Sequence, residues 1–489
     1  MDKNEVITIS DWNEGQSKFP LQGFGLLQNV EVFENKGIVK MSPVLTQSSL
    51  TATQLPIAYV KDTYGNYYHA TGVTGTGTIY KNNTSIQSSL TNVFDMVIYK
   101  NYLWVRHSTV MSCYGPLNNS PQWFGNVGTG FTESYWGKMI IGQDDIAYIC
   151  NGNLIASFTV STSGTPGVAP TISLNLSALD LPEGQFASTI IEYGSKLLIG
   201  ASGGANYSDS SNFNNARLYP WDRVSASVTL PVIFNENGIQ ALIQNANRVY
   251  VIAGNQGNVY ETDSTNYRKI ATIPYIQEGV SSFINVYPNA IAISPKGTLL
   301  IGASVGSNYG NSGIYEIDIN DPKYPIAFKY ILSPGITNSS SGRVSVGFIY
   351  PSTYQDLTVG WQNVSSYGID SSSFYLASNY QSVIESPLIQ VGSKLNKKTF
   401  QNIEWSLAKP LVSSTSGNGQ AIRISYRKDN SSSYTLIGTW DYSTVGNVVS
   451  FVDKASISDA EYLQIKVELS QPQTTVYGNN IYLRYVRIW

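Results

Sequence analysis

At 489 residues, with 30 basic against 33 acidic side chains and only 13% charged residues, the chain is close to neutral, at a formal net charge of −3. That balance excludes a general electrostatic attraction to nucleic acid or anionic lipid, no apolar run reaches the ~18 residues of a membrane span, and the opening MDKNEVITISDWNEGQ lacks the apolar stretch of a signal peptide. Abundant Gly, Ser, Thr, Asn and Tyr point to a turn-rich β protein, long enough for two or three domains or one large repeat assembly with an appendage.

Residues 1–42 read as an N-terminal arm. It carries Trp12, Phe19-Pro20 and Gly23-Phe24-Gly25, then a hairpin with arms 26–34 and 38–41 around Asn35-Lys36-Gly37. Such a segment buries little by itself and is expected to dock on another element or another subunit. Its strand at 38–41 is a candidate to complete the last unit of the repeat that follows.

Residues 43–380 are organised by repetition. Leu197-Leu198-Ile199-Gly200-Ala201-Ser202 returns as Leu299-Leu300-Ile301-Gly302-Ala303-Ser304, an offset of 102, and Val249–Gly254 is a looser relative halfway between. The repeat unit is therefore roughly 51 residues. Each clear unit reads as an apolar strand, a Gly/Asn/Asp turn, a second apolar strand, a polar loop, a third strand ending in Tyr-x-x-Asp, and a fourth strand. The unit from 290 predicts strands at 290–294, 298–304, 313–318 and 326–332. Tyr-x-x-Asp recurs at Tyr219, Tyr260, Tyr315 and Tyr367, spaced 41, 55 and 52. Weaker units begin near Ile57, Met96, Lys138 and Val344, giving seven. Four-stranded units without helical periodicity predict a roughly seven-bladed β-propeller, whose first two strands lie nearest the axis. Gly and Ala in the repeated hexapeptide are expected to let neighbouring blades approach closely.

Residues 381–489 change pattern. Strands are predicted at 383–391, 399–407, 420–428, 434–440, 447–452, 461–469 and 480–488, with Leu463, Ile465, Val467 and Leu469 on one face. This predicts an antiparallel, jelly-roll-like β-sandwich whose last strand holds the C-terminus. The fold class is all-β throughout.

Chemistry-bearing motifs are sparse. His69 and His107 fall in different blades without metal-pair spacing. Cys113 and Cys150 are read as free thiols or as a disulfide, the former fitting a reducing cytosol. Asp144-Asp145 and Asp318-Ile319-Asn320-Asp321 read as turns, since a calcium site needs six or more oxygens. Glu133, Glu192, Glu236, Glu261 and Glu278 are scattered, whereas a glycosidase needs two converging carboxylates. The sequence box of sialidase-type propellers is missing. No catalytic residue, metal site or cofactor is predicted. The segment between Cys113 and Lys138 is rich in aromatic residues among Gly, Asn and Ser, so Trp123, Phe124, Tyr135 and Trp136, with Trp221, are candidate contacts for a partner or glycan. Packing between blades is the other reading of the same residues.

Tyr260-Glu261-Thr262-Asp263 resembles the tyrosine-tryptophan-threonine-aspartate propellers of receptor ectodomains in three of four letters, but the other copies keep only Tyr and Asp, which marks a shared structural solution. Both ends of the chain resemble structural proteins of tailed bacteriophage virions. At the N-terminus the likeness lies in Gly25–Val32 followed by Gly37-Ile38-Val39-Lys40-Met41-Ser42-Pro43. At the C-terminus it lies in Glu385-Ser386-Pro387-Leu388-Ile389, Lys398–Glu404 and Ile422–Arg427. The resemblance implies a multicopy, non-enzymatic virion component of the tail or head-to-tail region, similar to the propeller-containing nozzle of short-tailed phages. It would be made in the bacterial host cytoplasm and would assemble with copies of itself and other virion proteins through its arm and sandwich. The alternative is a receptor- or glycan-binding module on a virion or cell surface. Neither reading involves specific nucleic-acid binding or membrane insertion.

Overall fold

The computed structural model describes residues 6–489 apart from 11, 13–23, 25, 35–36, 43–44, 51, 73–74, 133–136, 163–164, 204–214, 275–283, 306–311, 332–343, 353–356, 364–365, 373–374, 377–379, 414–418, 430, 472–474 and 477–479. Seven antiparallel sheets built on a four-strand plan succeed one another along the chain and form the blades of a propeller. Blade 1 comprises Pro56–Lys61, Tyr67–Thr71, Thr76–Lys81 and Thr84–Thr91; blade 2, Val93–Tyr99, Tyr102–His107, Val110–Gly115 and Gln122–Thr129. Blade 3 comprises Met139–Ile141, Ala147–Asn151, Leu154–Thr162 and Thr171–Asp180; blade 4, Phe186–Tyr193, Lys196–Ser202, Ala216–Trp221 and Val232–Phe234. Blade 5 comprises Ile239–Asn245, Arg248–Ala253, Asn258–Thr262 and Tyr267–Thr272; blade 6, Ile291–Ile293, Leu299–Val305, Gly313–Ile317 and Ile326–Ile331. Blade 7 has Val344–Pro351, Leu357–Asn363 and Ser366–Ser372, and its outer strand is Leu45–Gln47, contributed by the N-terminal part of the chain.

The repeated motifs now have physical causes. The hexapeptides form the second strands of blades 4 and 6, and their glycines face the first strand of the next blade. A Cβ on Gly200 would fall 2.7 Å from Ile239 Cγ2, and one on Gly302 would lie 2.9 Å from Val346 Cβ and closer still to Val346 Cγ1. Each Tyr of Tyr-x-x-Asp sits on a third strand. In blades 4 to 6 the Asp carboxylate organises the following turn: Asp222 accepts from the Val224 and Ser225 amides, Asp263 from those of Thr265 and Asn266, and Asp318 from that of Asn320. An aspartate whose oxygen satisfies amides two or three residues on is a turn former. Blade 7 departs from this: Asp370 is fully buried and accepts the Trp361 indole N–H at 2.7 Å.

Ring closure corrects one expectation. The strand at 38–41 does not complete the last blade; Leu45–Gln47 does, pairing with Ser372, Ser371 and Asp370. Residues Val39–Met41 pair instead with Val30–Glu31 and with the C-terminal strand Tyr482–Ile488. On the inner side Gly347 closes the ring, since a Cβ there would collide with the Pro56 carbonyl of blade 1.

The outer strands of blades 1 to 3 are long and nearly uncharged, a composition that invites edge-to-edge pairing. They are blunted by bulges instead of lysines. The registers slip between Gly77 and Tyr80, between Met111 and Cys113, and between Ile155 and Ser157, leaving unpaired residues on each outer strand.

The arm does not stand apart from the C-terminal domain. One sheet of the sandwich runs in the order Val30–Glu31, Val39–Met41, Tyr482–Ile488, Lys398–Leu407, Ser450–Ala460, with Ile7–Ile9 also pairing with Tyr482–Ile488. The other runs Leu26–Gln28, Tyr380–Glu385, Tyr462–Gln471, Ala421–Lys428, Thr435–Asp441. Between them Leu463, Ile465, Val467 and Leu469 meet Trp405, together with Trp12, Phe24 and Leu27 from the arm. Trp12 is fully buried and donates its indole N–H to the Arg484 carbonyl at 2.8 Å.

This second sheet does not end at the sandwich. Leu26–Gln28 pairs in parallel with the outer strand of blade 6 at Gln28–Phe328, so one continuous sheet passes from the propeller into the sandwich. The junction is reinforced by charge. Lys296, in the first turn of blade 6, lies 2.8 Å from Glu31 and 3.1 Å from Glu34, and Lys40 lies 2.6 Å from Glu34.

Candidate functional site

The first strands of all seven blades converge on the axis and line a half-open cavity of about 410 Å³. Its shape follows from a recurring irregularity. In blades 1, 2, 4, 5 and 7 the register slips near the start of the first strand, freeing one residue: Ile57, Phe94, Ser188, Gln240 or Gly347. Polar groups at or beside these bulges join one blade to the next. Asp95 accepts the Met139 amide of blade 3 at 2.8 Å. Ser188 donates to the Ile239 carbonyl of blade 5 at 2.5 Å. Gln240 accepts the Val286 amide and donates to the Ile284 carbonyl ahead of blade 6. Ser304 accepts the Val346 amide of blade 7 at 3.1 Å.

At this end of the axis the segment before blade 6 reaches across. Asn289 donates to the Ile57 carbonyl of blade 1 at 3.0 Å and to Asp95 of blade 2 at 2.9 Å, while its backbone carbonyl accepts from Ile349 of blade 7. Its side-chain oxygen accepts from Lys138, whose ammonium is also 3.7 Å from Asp95. Asp95 is buried and Lys138 is partly exposed. One carboxylate, one ammonium and one amide thus make a floor of zero net charge. Above it the wall is apolar, with Val60, Val97, Ile140, Ile191, Ile243 and Ile349 drawn from six different blades. Between blades 7 and 1 Tyr59 lines the cavity and is backed by aromatic residues: its ring lies 5.6 Å from Phe348 and 4.9 Å from Tyr350, centroid to centroid, and Lys61 lies over Tyr350.

Sequence reasoning missed this floor. Asp95, Lys138 and Asn289 occupy positions that do not repeat, and the only trace of them is a polar residue interrupting an apolar run, as in Val93-Phe94-Asp95-Met96.

The aromatic candidates do not form one surface. Trp123 and Phe124 are neighbours on the outer strand of blade 2 and so face opposite ways. Trp123 packs toward the core between blades 1 and 2, Phe124 toward that between blades 2 and 3, and both stay half-buried. Trp221 is buried, donates to the Ser225 carbonyl at 2.8 Å and meets Tyr148 edge to face, so it is a core residue and not a contact surface. Phe131 lies beneath the buried Arg106 guanidinium, which is held between Phe131 and Phe94. Tyr135 and Trp136 fall outside the described residues.

The remaining chemistry-bearing groups are engaged locally. Glu192 pairs with Arg223. Glu236 accepts from Asn258 and Tyr260. Burial would raise the Glu261 pKa, but Tyr324, Arg268 and Arg248 together hold it below the usual carboxylate range. None of the three lines the axial cavity; Glu133 and Glu278 are outside the described residues. Cys113 and Cys150 are free and buried, and burial pushes the Cys113 thiol up to about 12. Asp144-Asp145 and Asp318–Asp321 form turns. Among the described residues no cluster of three or more His, Cys, Asp or Glu is placed to hold a metal ion, and no helix is long and apolar enough to cross a membrane.

No family model matches the chain, and no curated protein matches it. Among solved structures it is similar to the extracellular domain of a hybrid two-component system from B. thetaiotaomicron, at 15% identity over 77% of this chain and 44% of that one, with a TM-score of 0.45. It is also similar to the β-propeller domain of Cps50 (Swd1) from Myceliophteria thermophila, at 11% identity over 66% and 98% of the two chains and a TM-score of 0.44. A third is virginiamycin B lyase from Staphylococcus aureus, at 12% identity over 67% and 99% and a TM-score of 0.43. The chain spans less than half the length of that B. thetaiotaomicron domain.

Proposed function

We propose that this chain is a non-enzymatic structural subunit of a tailed bacteriophage virion, placed in the tail or the head-to-tail nozzle region. The observation that carries the reading is the uninterrupted sheet from blade 6 through Leu26–Gln28 into the sandwich. Two domains joined by the Gln28–Phe328 backbone pairing and a four-charge junction are held more closely than domains on a linker, which suits a wall or spacer in a symmetric assembly better than a hinged receptor or a closing enzyme. The described residues of the short segments at both ends that resemble phage structural proteins lie in or beside this same sandwich. Its partners are then copies of itself and other virion proteins, its place is the virion, and no cofactor is required. Immunogold labelling of virions with antibody raised against the chain tests this: label at the tail or neck supports it, and virions that carry no label overturn it.

A receptor- or glycan-binding role is the second reading, favoured by the half-exposed Trp123 and Phe124 on the outer strand of blade 2. Replacing both with alanine would abolish binding to host cells or to a glycan array if these rings make the contact, and would leave it unchanged otherwise.

A further inference from the structure

We propose that the axial cavity is a binding site for a neutral, largely apolar small molecule that carries one hydrogen-bond acceptor. Three features select this chemistry. The volume of about 410 Å³ lies within the range of small-molecule sites, roughly 300–1,000 Å³. Its wall is mostly apolar, with Val60, Val97, Ile140, Ile191 and Ile243, and the Gln244 amide beside them donates to the Ala246 carbonyl, so away from the floor few polar partners are left for a bound water, which needs about two to four. Water in the tube is therefore poorly held, and its displacement by an apolar body is favourable. The partly exposed Tyr59 ring, backed by the buried Phe348 ring stacked on it, gives one aromatic surface on that side, which suits a planar or ring-bearing molecule.

The floor decides the polar end. Lys138 has three N–H donors and is engaged by Asp95 and Asn289. One donor remains for an acceptor that enters from the cavity. The Asp95 carboxylate already balances the ammonium, so a ligand bearing a full charge of either sign would be desolvated without net compensation. A carbonyl, ether or hydroxyl oxygen meets the donor without that cost.

The test is a titration of the full chain with N-phenyl-1-naphthylamine, a neutral probe that fluoresces in apolar surroundings. The expected result is a saturable signal with one site per chain. Val60→Trp and Ile243→Trp fill the tube from different blades, and either should weaken binding at least about tenfold while keeping the wild-type melting temperature. Naphthalene and 1-acetonaphthone, which differ by one carbonyl, then compete for the probe. The wild type should prefer the ketone about tenfold, as expected for a hydrogen bond from a charged donor, and Lys138→Met should erase the preference. Absence of saturable binding, or unchanged affinity in either folded tryptophan variant, would overturn the proposal; equal affinity of the wild type for both competitors would overturn the acceptor it assigns to Lys138.

Discussion

Gly302 offers a sharp test of how the blades pack. In a strand, alanine in place of glycine normally gains stability, because the unfolded chain loses freedom and the strand gains a side chain, by roughly 0.4–1 kcal/mol. At Gly302 the geometry reverses the sign. The new Cβ would lie 2.9 Å from Val346 Cβ, closer still to Val346 Cγ1, and 3.2 Å from Ala290 Cβ, all in the core between blades 6 and 7. Neither neighbour is the loose end of a flexible chain, so strands must separate. Overpacking of this kind costs about 1–3 kcal/mol. Gly302→Ala should therefore lower the urea midpoint at unchanged slope. Val346→Ala removes the nearer clash while opening a small cavity of its own, so the double variant should be less destabilised than the sum of the singles by about 1 kcal/mol. A neutral or stabilised Gly302→Ala, or strictly additive variants, would refute the claim that glycine is required by blade approach.

Four further outcomes follow from the geometry. Burial, with Arg106 beside it, draws the His107 imidazole down from 6.5 to about 4. Below pH 6.5 the unfolded chain takes up a proton that the folded chain excludes, so about 3 kcal/mol of stability is lost as pH falls from 6.5 to 4; His107→Gln should flatten the urea midpoint across that window, and an unchanged slope would contradict this. Glu34 acts lower: burial opposes its ionisation, but Lys40 and Lys296 hold its carboxyl below 4.5, so its contribution is complete above the unfolded value and lost as pH falls through the lower folded one, and Glu34→Gln should reduce acid sensitivity only there. Lys296→Met removes the ammonium facing the buried Glu31 and should cost about 3–5 kcal/mol, with faster amide exchange across Leu26–Glu31. Trp221→Ala should destabilise the fold by roughly 3–5 kcal/mol, and a loss of partner binding at unchanged stability would show that its burial has been misread.

The propeller was legible because its motifs repeat for physical reasons. Gly200 and Gly302 recur because each meets the next blade, and Asp222, Asp263 and Asp318 recur because each organises the turn that follows its strand. Alternation over Tyr462–Leu469 placed four apolar side chains correctly in the sandwich core, yet Gln464 on the other face is also buried, receiving Arg427 and bonding the Ser386 carbonyl. Long-range pairings were out of reach. Nothing local distinguishes Leu45–Gln47 from Val39–Met41 as the strand that closes blade 7, since both are short and the choice is made by partners more than 300 residues away. Trp221 misled for the same reason: an aromatic beside polar loop residues reads as a surface until its blade neighbours are in place. The axial floor was invisible because Asp95, Lys138 and Asn289 come from three separate parts of the chain and meet only when the ring closes.

Sedimentation velocity of the purified chain across about a hundredfold range of concentration tests the central claim, that this joined propeller and sandwich form an assembly subunit. The account predicts conversion of the monomer to one defined oligomer, visible as rings or closed particles by electron microscopy of the same sample. A chain that sediments as a monomer at every concentration would contradict self-assembly.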